Sequence, residues 1–149
     1  MKRLAVSLVG ILGFAIAVIL GLGLTADIRA AEFDLVEAHT SPPDHPYTLG
    51  MVRYADLVKE RTNGRVAIQI HHSRQLGDER QVVEGLQLGT IHLTVTSTGP
   101  LGGFVPEMNV VDLPFLFRDA EHAYKVLDEE IGRGLLNKFD AVGIKGLAF

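Results

Sequence analysis

The chain has 149 residues, a hydrophobic share of 47% and no cysteine, which excludes disulfide bonds, thiolate metal ligands and thiol redox chemistry. The 14 basic and 18 acidic residues give a net charge of −4. This balance argues against nucleic acid as a partner, because phosphate binding needs a basic face. It leaves small anionic ligands open, since these need only a local positive group.

Residues 1–30 have the layout of a secretory signal peptide. A basic start at Lys2 and Arg3 precedes an apolar run, Leu4–Leu24, and small residues follow in "TADIRAAEF". Because this order of segments is typical of signal peptides, we expect residues 1–30 to be removed and the chain from residue 31 to be exported. The alternative is an uncleaved membrane anchor, because Leu4–Leu24 is long enough to span a bilayer.

The mature chain is predicted to begin with a strand and a helix. The segment "FDLVEAH" indicates a first strand, and the prolines of "TSPPDHPYT" end it. Pro46 suits the first turn of a helix, with His45 extended before it. The helix is expected to run to about Thr62, because apolar side chains recur at helical spacing. These core-facing residues are predicted to be Leu49, Val52, Ala55 and Val58, and Met51 and Leu57 widen the apolar face.

Two further strands and a second helix complete the predicted sheet. After a left-handed stop at Asn63-Gly64, "RVAIQIHH" alternates as a second strand. In "GDERQ", Asp78 is a good N-cap and Gln81 completes a capping box, so a helix is expected from there to Gly89. The segment "TIHLTVTST" indicates a third strand. The order strand–helix–strand–helix–strand predicts an α/β fold with a mainly parallel sheet flanked by helices.

The second half of the mature chain carries weaker patterns. The segment "VVDLPFLF" indicates a buried extended run, and Asp119 is expected to cap a further helix. The final "GIKGLAF" indicates one more strand. Because a parallel strand is buried on both faces, a chain that ends inside such a run is expected to be incomplete.

Polar side chains follow each predicted strand. His39 and Thr40 come after the first strand, Glu79 starts the helix after the second, and Ser97 and Thr98 follow the third. In open α/β sheets, ligands lie outside the carboxyl ends of the strands, so these side chains are expected at one edge. The alternatives are ordinary turn chemistry for the hydroxyls and helix-dipole stabilisation by Glu79.

Metal binding and catalysis are the alternative classes of function. A metal site would use His39, His71 and His92, but no His-x-x-x-His pattern is present, and hydrogen-bonded or solvent-facing histidines are favoured. A secreted hydrolase would use Ser97, which lacks a Gly-x-Ser-x-Gly context. Neither pattern predicts a metal, a cofactor or an enzyme.

Two runs, "NGRVAIQIHHSRQLGDERQVVEGLQLGTIHL" and "PLGGFVPEMNVVDLPFLFRDAEHAYKVLD", resemble the substrate-binding proteins of tripartite ATP-independent periplasmic (TRAP) transporters, the DctP family. The resemblance covers residues 33–149. It implies a periplasmic, non-catalytic receptor with a type II periplasmic-binding-protein fold. Such a receptor captures a small carboxylate in a cleft between two α/β domains and passes it to an integral membrane permease driven by an ion gradient.

The resemblance also implies site residues and a domain assignment. Thr40, Glu79 and Ser97 match polar site positions of the family, with Thr98 as a neighbour and His39 as a weaker match. Residues 31–149 would be the N-terminal lobe, with the second domain largely missing. The resemblance also implies an arginine beyond Phe149 that holds the ligand's carboxylate. Such an arginine dominates specificity in the family, because its guanidinium binds a carboxylate through two hydrogen bonds.

Overall fold

The computed structural model describes residues 30–149. The predicted signal peptide, apart from Ala30, and the predicted anchor Leu4–Leu24 lie outside the described residues. Among the described residues, no helix is long and apolar enough to cross a bilayer. The elements in chain order are the strand β1 (Phe33–Ala38), the helix α1 (Pro46–Arg61), the strand β2 (Val66–His71), and the helices α2 (Glu79–Leu88), α3 (Ala120–Asp128) and α4 (Glu130–Asn137).

The prediction of a parallel strand–helix–strand unit is confirmed. β1 and β2 pair in parallel, with Phe33 opposite Val66 and Ala38 opposite His71, and α1 connects them and packs against β2. The left-handed stop after α1 is also present, because Asn63 and Gly64 have φ values of 52° and 77°. This geometry sends the chain directly back into β2 and so brings the ends of both strands to the same edge.

The predicted third strand is reduced to a single parallel bridge between Glu37 and Leu93. The reason is visible at the free edge of β1, where side chains replace backbone partners. The Val36 N–H donates to Nδ1 of His92 at 3.0 Å, and the hydroxyl of Thr94 donates to the Ala38 carbonyl at 2.7 Å. The segment still runs alongside β1 and delivers the residues that follow it to the same edge.

Helix α1 is confirmed, but its predicted core face is partly wrong. Leu49 and Val52 are 58% and 46% exposed, whereas Thr48 is 3% exposed. Thr48 lies about one helical turn before Met51 and two turns before Ala55, both half-buried, so the buried face includes Thr48 and excludes Leu49 and Val52. The Thr48 hydroxyl is therefore buried at the position where the apolar pattern predicted Leu49.

Two predictions in the second half are wrong. The run predicted as extended, "VVDLPFLF", instead ends a 3-10 helix, Pro106–Asp112, and then turns, leaving Leu113 and the fully exposed Phe115 on the surface. The final residues after Gly143 form no regular strand in the described chain. Both segments are apolar, and apolar runs of this length do not distinguish strands from short helices.

Two separate apolar clusters support these elements. Ala38, Val82 and Ile91 join the end of β1 to α2, with Leu86 packed against them. The second cluster joins the 3-10 helices Pro106–Asp112 and Lys138–Val142 to α4. It consists of Val105, Met108, Leu135 and Phe139. The first cluster includes Ala38, the last residue of β1, which directly precedes the predicted polar residues His39 and Thr40.

Candidate functional site

The start of α2 is built by local sequence. Asp78 accepts a hydrogen bond from the Gln81 N–H, and the Gln81 side chain accepts one from the Asp78 N–H, both at 2.9 Å. Gly77 has a φ of +121°, and a Cβ there would approach Oε1 of Gln81 to 2.8 Å. The glycine therefore permits the capping box, and the box places Glu79 as the first residue of the helix.

Two of the predicted site residues, Thr40 and Ser97, hydrogen-bond to the carboxylate of a third, Glu79. The Ser97 hydroxyl donates to Oε2 of Glu79 at 2.7 Å, and the Ser97 N–H approaches Oε1 at 3.4 Å. The Thr40 hydroxyl donates to the same Oε1 at 3.4 Å. We call Thr40, Glu79 and Ser97 the Glu79 group. Its three members come from the segment after β1, the start of α2 and the segment after Leu93, as parallel topology predicts.

The Glu79 group can hold a ligand that offers hydrogen-bond donors. The helix start stabilises a negative charge on the carboxylate. The Thr40 and Ser97 hydroxyls each donate their single proton to Glu79, and their oxygen lone pairs can still accept hydrogen bonds from a ligand. Ser97 is exposed and Thr40 and Glu79 are half-buried, so the group is open to a molecule from solution.

Thr98 and His39, the two other predicted site residues, are engaged elsewhere. The Thr98 hydroxyl donates to Asp112, which ties the residue to the 3-10 helix Pro106–Asp112. His39 is 2% exposed, and its ring lies between the Glu37 carboxylate, 3.0 Å from Nδ1, and the Thr48 hydroxyl, 2.7 Å from Nε2. His39 is therefore buried behind Thr40.

Sequence reasoning missed Glu37 and Thr48, which complete this buried network. Burial raises the pKa of the Glu37 carboxyl, and the hydrogen bond and charge of His39 oppose that shift. One signal was available, because Glu37 and His39 are two apart in a strand and must share a face. No short-range pattern places Thr48 next to them, since that contact depends on how α1 docks.

The alternative metal site gains no support. His39 is occupied by Glu37 and Thr48, and Nδ1 of His92 accepts the backbone N–H of Val36. Among residues 30–149 no group of three or more histidine, aspartate or glutamate side chains is arranged to hold a metal ion. The alternative hydrolase site is also unsupported, because the side-chain partner of the Ser97 hydroxyl in the described chain is a carboxylate and not an imidazole.

The family is established by comparison with known proteins. Residues 37–149 match the model of the bacterial extracellular solute-binding protein family 7, DctP. The chain belongs to this family. The TRAP resemblance read from the sequence is thereby confirmed, and DctP-family proteins are solute-binding receptors.

Individual relatives agree with the family match. A solute-binding protein of Verminephrobacter eiseniae is 50% identical over 96 residues, which cover 64% of this chain and 29% of that protein. The C4-dicarboxylate-binding periplasmic protein DctP of Rhodobacter capsulatus is 35% identical over 99% of this chain and 43% of its own length.

A solved structure shares the fold. The TRAP periplasmic solute-binding protein of Polaromonas sp. JS666, bound to D-erythronate, superposes with a TM-score of 0.75 at 49% identity, over 78% of this chain and 38% of that one. This likeness confirms the predicted α/β periplasmic-binding-protein class. The chain spans less than half the length of each of these relatives.

Proposed function

We propose that residues 31–149 form the N-terminal lobe of a periplasmic receptor that binds a small organic acid without chemical change and presents it to a TRAP permease. The Glu79 group carries this proposal. It is an accessible carboxylate at a helix start, flanked by two hydroxyls from different segments at the edge where α/β proteins bind ligands. Membership of the DctP family supports the same function.

The chemistry of the Glu79 group favours a hydroxylated organic acid. A carboxylate has no donor, and two like charges in contact are unfavourable. The ligand's own carboxylate is therefore held elsewhere, by the arginine that the family resemblance implies beyond Phe149. A ligand hydroxyl would donate its proton to the Glu79 carboxylate. The D-erythronate bound to the Polaromonas relative is a hydroxylated monocarboxylate of this kind.

The remaining parts of the proposal concern targeting and assembly. We propose that residues 1–30 direct export and are removed, because their basic, apolar and small segments follow the order of a signal peptide. The site would be completed by a second lobe that closes over the ligand by a hinge motion. Thr98 would then contribute indirectly, by linking the segment after Ser97 to Asp112.

Calorimetric titration tests the ligand class. The full-length protein, which includes the proposed second lobe and its arginine, is titrated with D-erythronate, with succinate as an unhydroxylated acid and with erythritol as an uncharged polyol. We expect D-erythronate to bind most tightly. Glu79→Gln should weaken its binding about tenfold or more, because a charge-assisted hydrogen bond is lost.

Glu84→Gln is the matched control, since it makes the same change on α2 at a residue paired with Arg80, and it should leave the affinity unchanged. The receptor hypothesis is wrong if none of a wider panel of organic acids binds. The assignment of the Glu79 group is wrong if both variants bind like the wild-type protein.

A further inference from the structure

A buried polar network lies behind Thr40. Glu37, His39 and Thr48 are 0%, 2% and 3% exposed, and they are the buried polar side chains of the described chain. Nδ1 of His39 lies 3.0 Å from both carboxylate oxygens of Glu37, and Nε2 lies 2.7 Å from Oγ1 of Thr48. Burying such groups is costly unless each is hydrogen-bonded, so the network constrains the positions of its members.

The proton positions follow from Thr48. Its Oγ1 also lies 2.7 Å from the carbonyl oxygen of Pro42. A carbonyl only accepts, so the single hydroxyl proton goes to Pro42. Oγ1 must then accept from His39, and Nε2 of His39 carries a hydrogen. The chain of bonds therefore runs in one direction, from the imidazole to the hydroxyl and on to the carbonyl.

This chain of bonds holds both ends of a four-residue segment, His39–Pro42. The His39 side chain holds one end, and the Pro42 carbonyl holds the other through Thr48. The backbone adds two bonds to the segment after β1, from the His39 N–H to the His71 carbonyl at 3.0 Å and from the Ser73 N–H to the Ser41 carbonyl at 2.9 Å. Thr40 lies between the held ends.

We propose that Thr48 and His39 are positioning residues of the ligand site, which hold the His39–Pro42 segment so that the Thr40 hydroxyl faces Glu79. Neither side chain reaches the ligand, because both are buried. The Thr40–Glu79 hydrogen bond is long, at 3.4 Å, and small displacements of the segment would break it. The proposal rests on the ligand-binding role of the Glu79 group and extends that role to the first turn of α1.

The test compares Thr48→Val with Thr48→Ser. Valine has nearly the same shape but leaves the Nε2 hydrogen of His39 and the Pro42 carbonyl without their partner, whereas serine keeps the hydroxyl. D-erythronate is the titrant, and the backbone amide resonances of Thr40 and Ser97 are followed by NMR in the ligand-free protein. We expect Thr48→Val to weaken binding roughly tenfold and to shift both resonances. Thr48→Ser should keep the wild-type affinity and the wild-type positions of both resonances.

A second pair of variants decides the matter if Thr48→Val does not fold. His39→Gln can place its amide near the position of Nε2 and keep the bond to Thr48, whereas His39→Asn is too short and keeps only the bond to Glu37. We expect His39→Asn to shift the Thr40 and Ser97 resonances more than His39→Gln does, and to weaken binding more.

The outcomes separate this inference from the proposed function. If Thr48→Val or His39→Asn lowers stability but leaves affinity and both resonances unchanged, the network has a purely structural role and the inference is overturned. If the wild-type protein binds no organic acid, the proposed function fails. The ligand-free NMR comparison still decides whether the network positions Thr40.

Discussion

Residues 33–98 and residues 99–149 bury different kinds of side chain. The first region buries Glu37, His39 and Thr48 beside a small apolar cluster, and the hydrogen bonds of these three fix the segment that carries Thr40. The second region is centred on a purely apolar cluster that includes Met108 and Phe139. Hydrogen bonds are directional and apolar burial is not. Residues 33–98, which position the hydroxyl of Thr40, therefore rely on directional hydrogen bonds. Residues 99–149 rely on apolar packing, which holds their short helices together.

The strongest test of this comparison is Phe139→Ala. Phe139 is 4% exposed in the apolar cluster, so truncation should lower the free energy of unfolding by about 3–5 kcal/mol. Urea unfolding measures the change. Phe115→Ala, at a fully exposed position, should stay within about 0.5 kcal/mol of the wild-type value. Equal effects of the two substitutions would show that the cluster does not stabilise the second region.

Two glycines of α4 provide a matched pair within the second region. A Cβ on Gly132 would overlap the backbone carbonyl of Leu127, whereas nothing lies within 4 Å of one on Gly134. Gly132→Ala should therefore cost about 1–3 kcal/mol through overpacking. Gly134→Ala should stabilise the helix by about 1 kcal/mol. Thermal unfolding distinguishes the signs, and stabilisation by both substitutions would mean that α3 and α4 do not approach this closely.

Asp78→Ala should lower both stability and ligand affinity in the first region. Loss of the N-cap costs about 1 kcal/mol, less than the loss expected from Phe139→Ala. The same change releases the start of α2 and with it Glu79, so titration with D-erythronate should show weaker binding. Asp78→Asn keeps a capping oxygen and should preserve both properties. An unchanged affinity in Asp78→Ala would show that the capping box does not position Glu79.

The smallest expected effect is on a surface ion pair of the second region. The Lys138 ammonium donates to Glu107 at 2.8 Å and lowers the pKa of that carboxyl. Because the pKa is lower in the folded than in the unfolded state, the stabilisation is present above the unfolded-state pKa and is lost as the pH falls through the folded-state value. Urea unfolding against pH should show a slightly shallower acid dependence in Glu107→Gln.

Salt provides the control for this pair. Both side chains are about half exposed, so high ionic strength should screen the attraction and remove the difference between Glu107→Gln and the wild-type protein. Lys138→Gln should behave like Glu107→Gln. A difference that persists in high salt would mean that the ion pair is not its cause.

The sequence by itself determined the features whose partners lie within a few residues. The capping box of Asp78 and Gln81 and the left-handed residues at Asn63-Gly64 were predicted, because turn and cap geometry depends on local atoms. The parallel unit of β1, α1 and β2 joins residues farther apart in the chain, and it was predicted from the strand–helix–strand order. The expectation that Thr40, Glu79 and Ser97 share an edge followed from that topology. Their hydrogen bonds agree with it.

Only the tertiary structure decided which residues each element turns inward. Thr48 rather than Leu49 faces the core because its hydroxyl completes a network with His39 and Pro42. The third strand shrinks to one bridge because His92 and Thr94 side chains take the backbone partners of β1. The Thr98 hydroxyl bonds to Asp112 and not to Glu79. These outcomes depend on partners distant in the chain, whose positions periodicity does not encode.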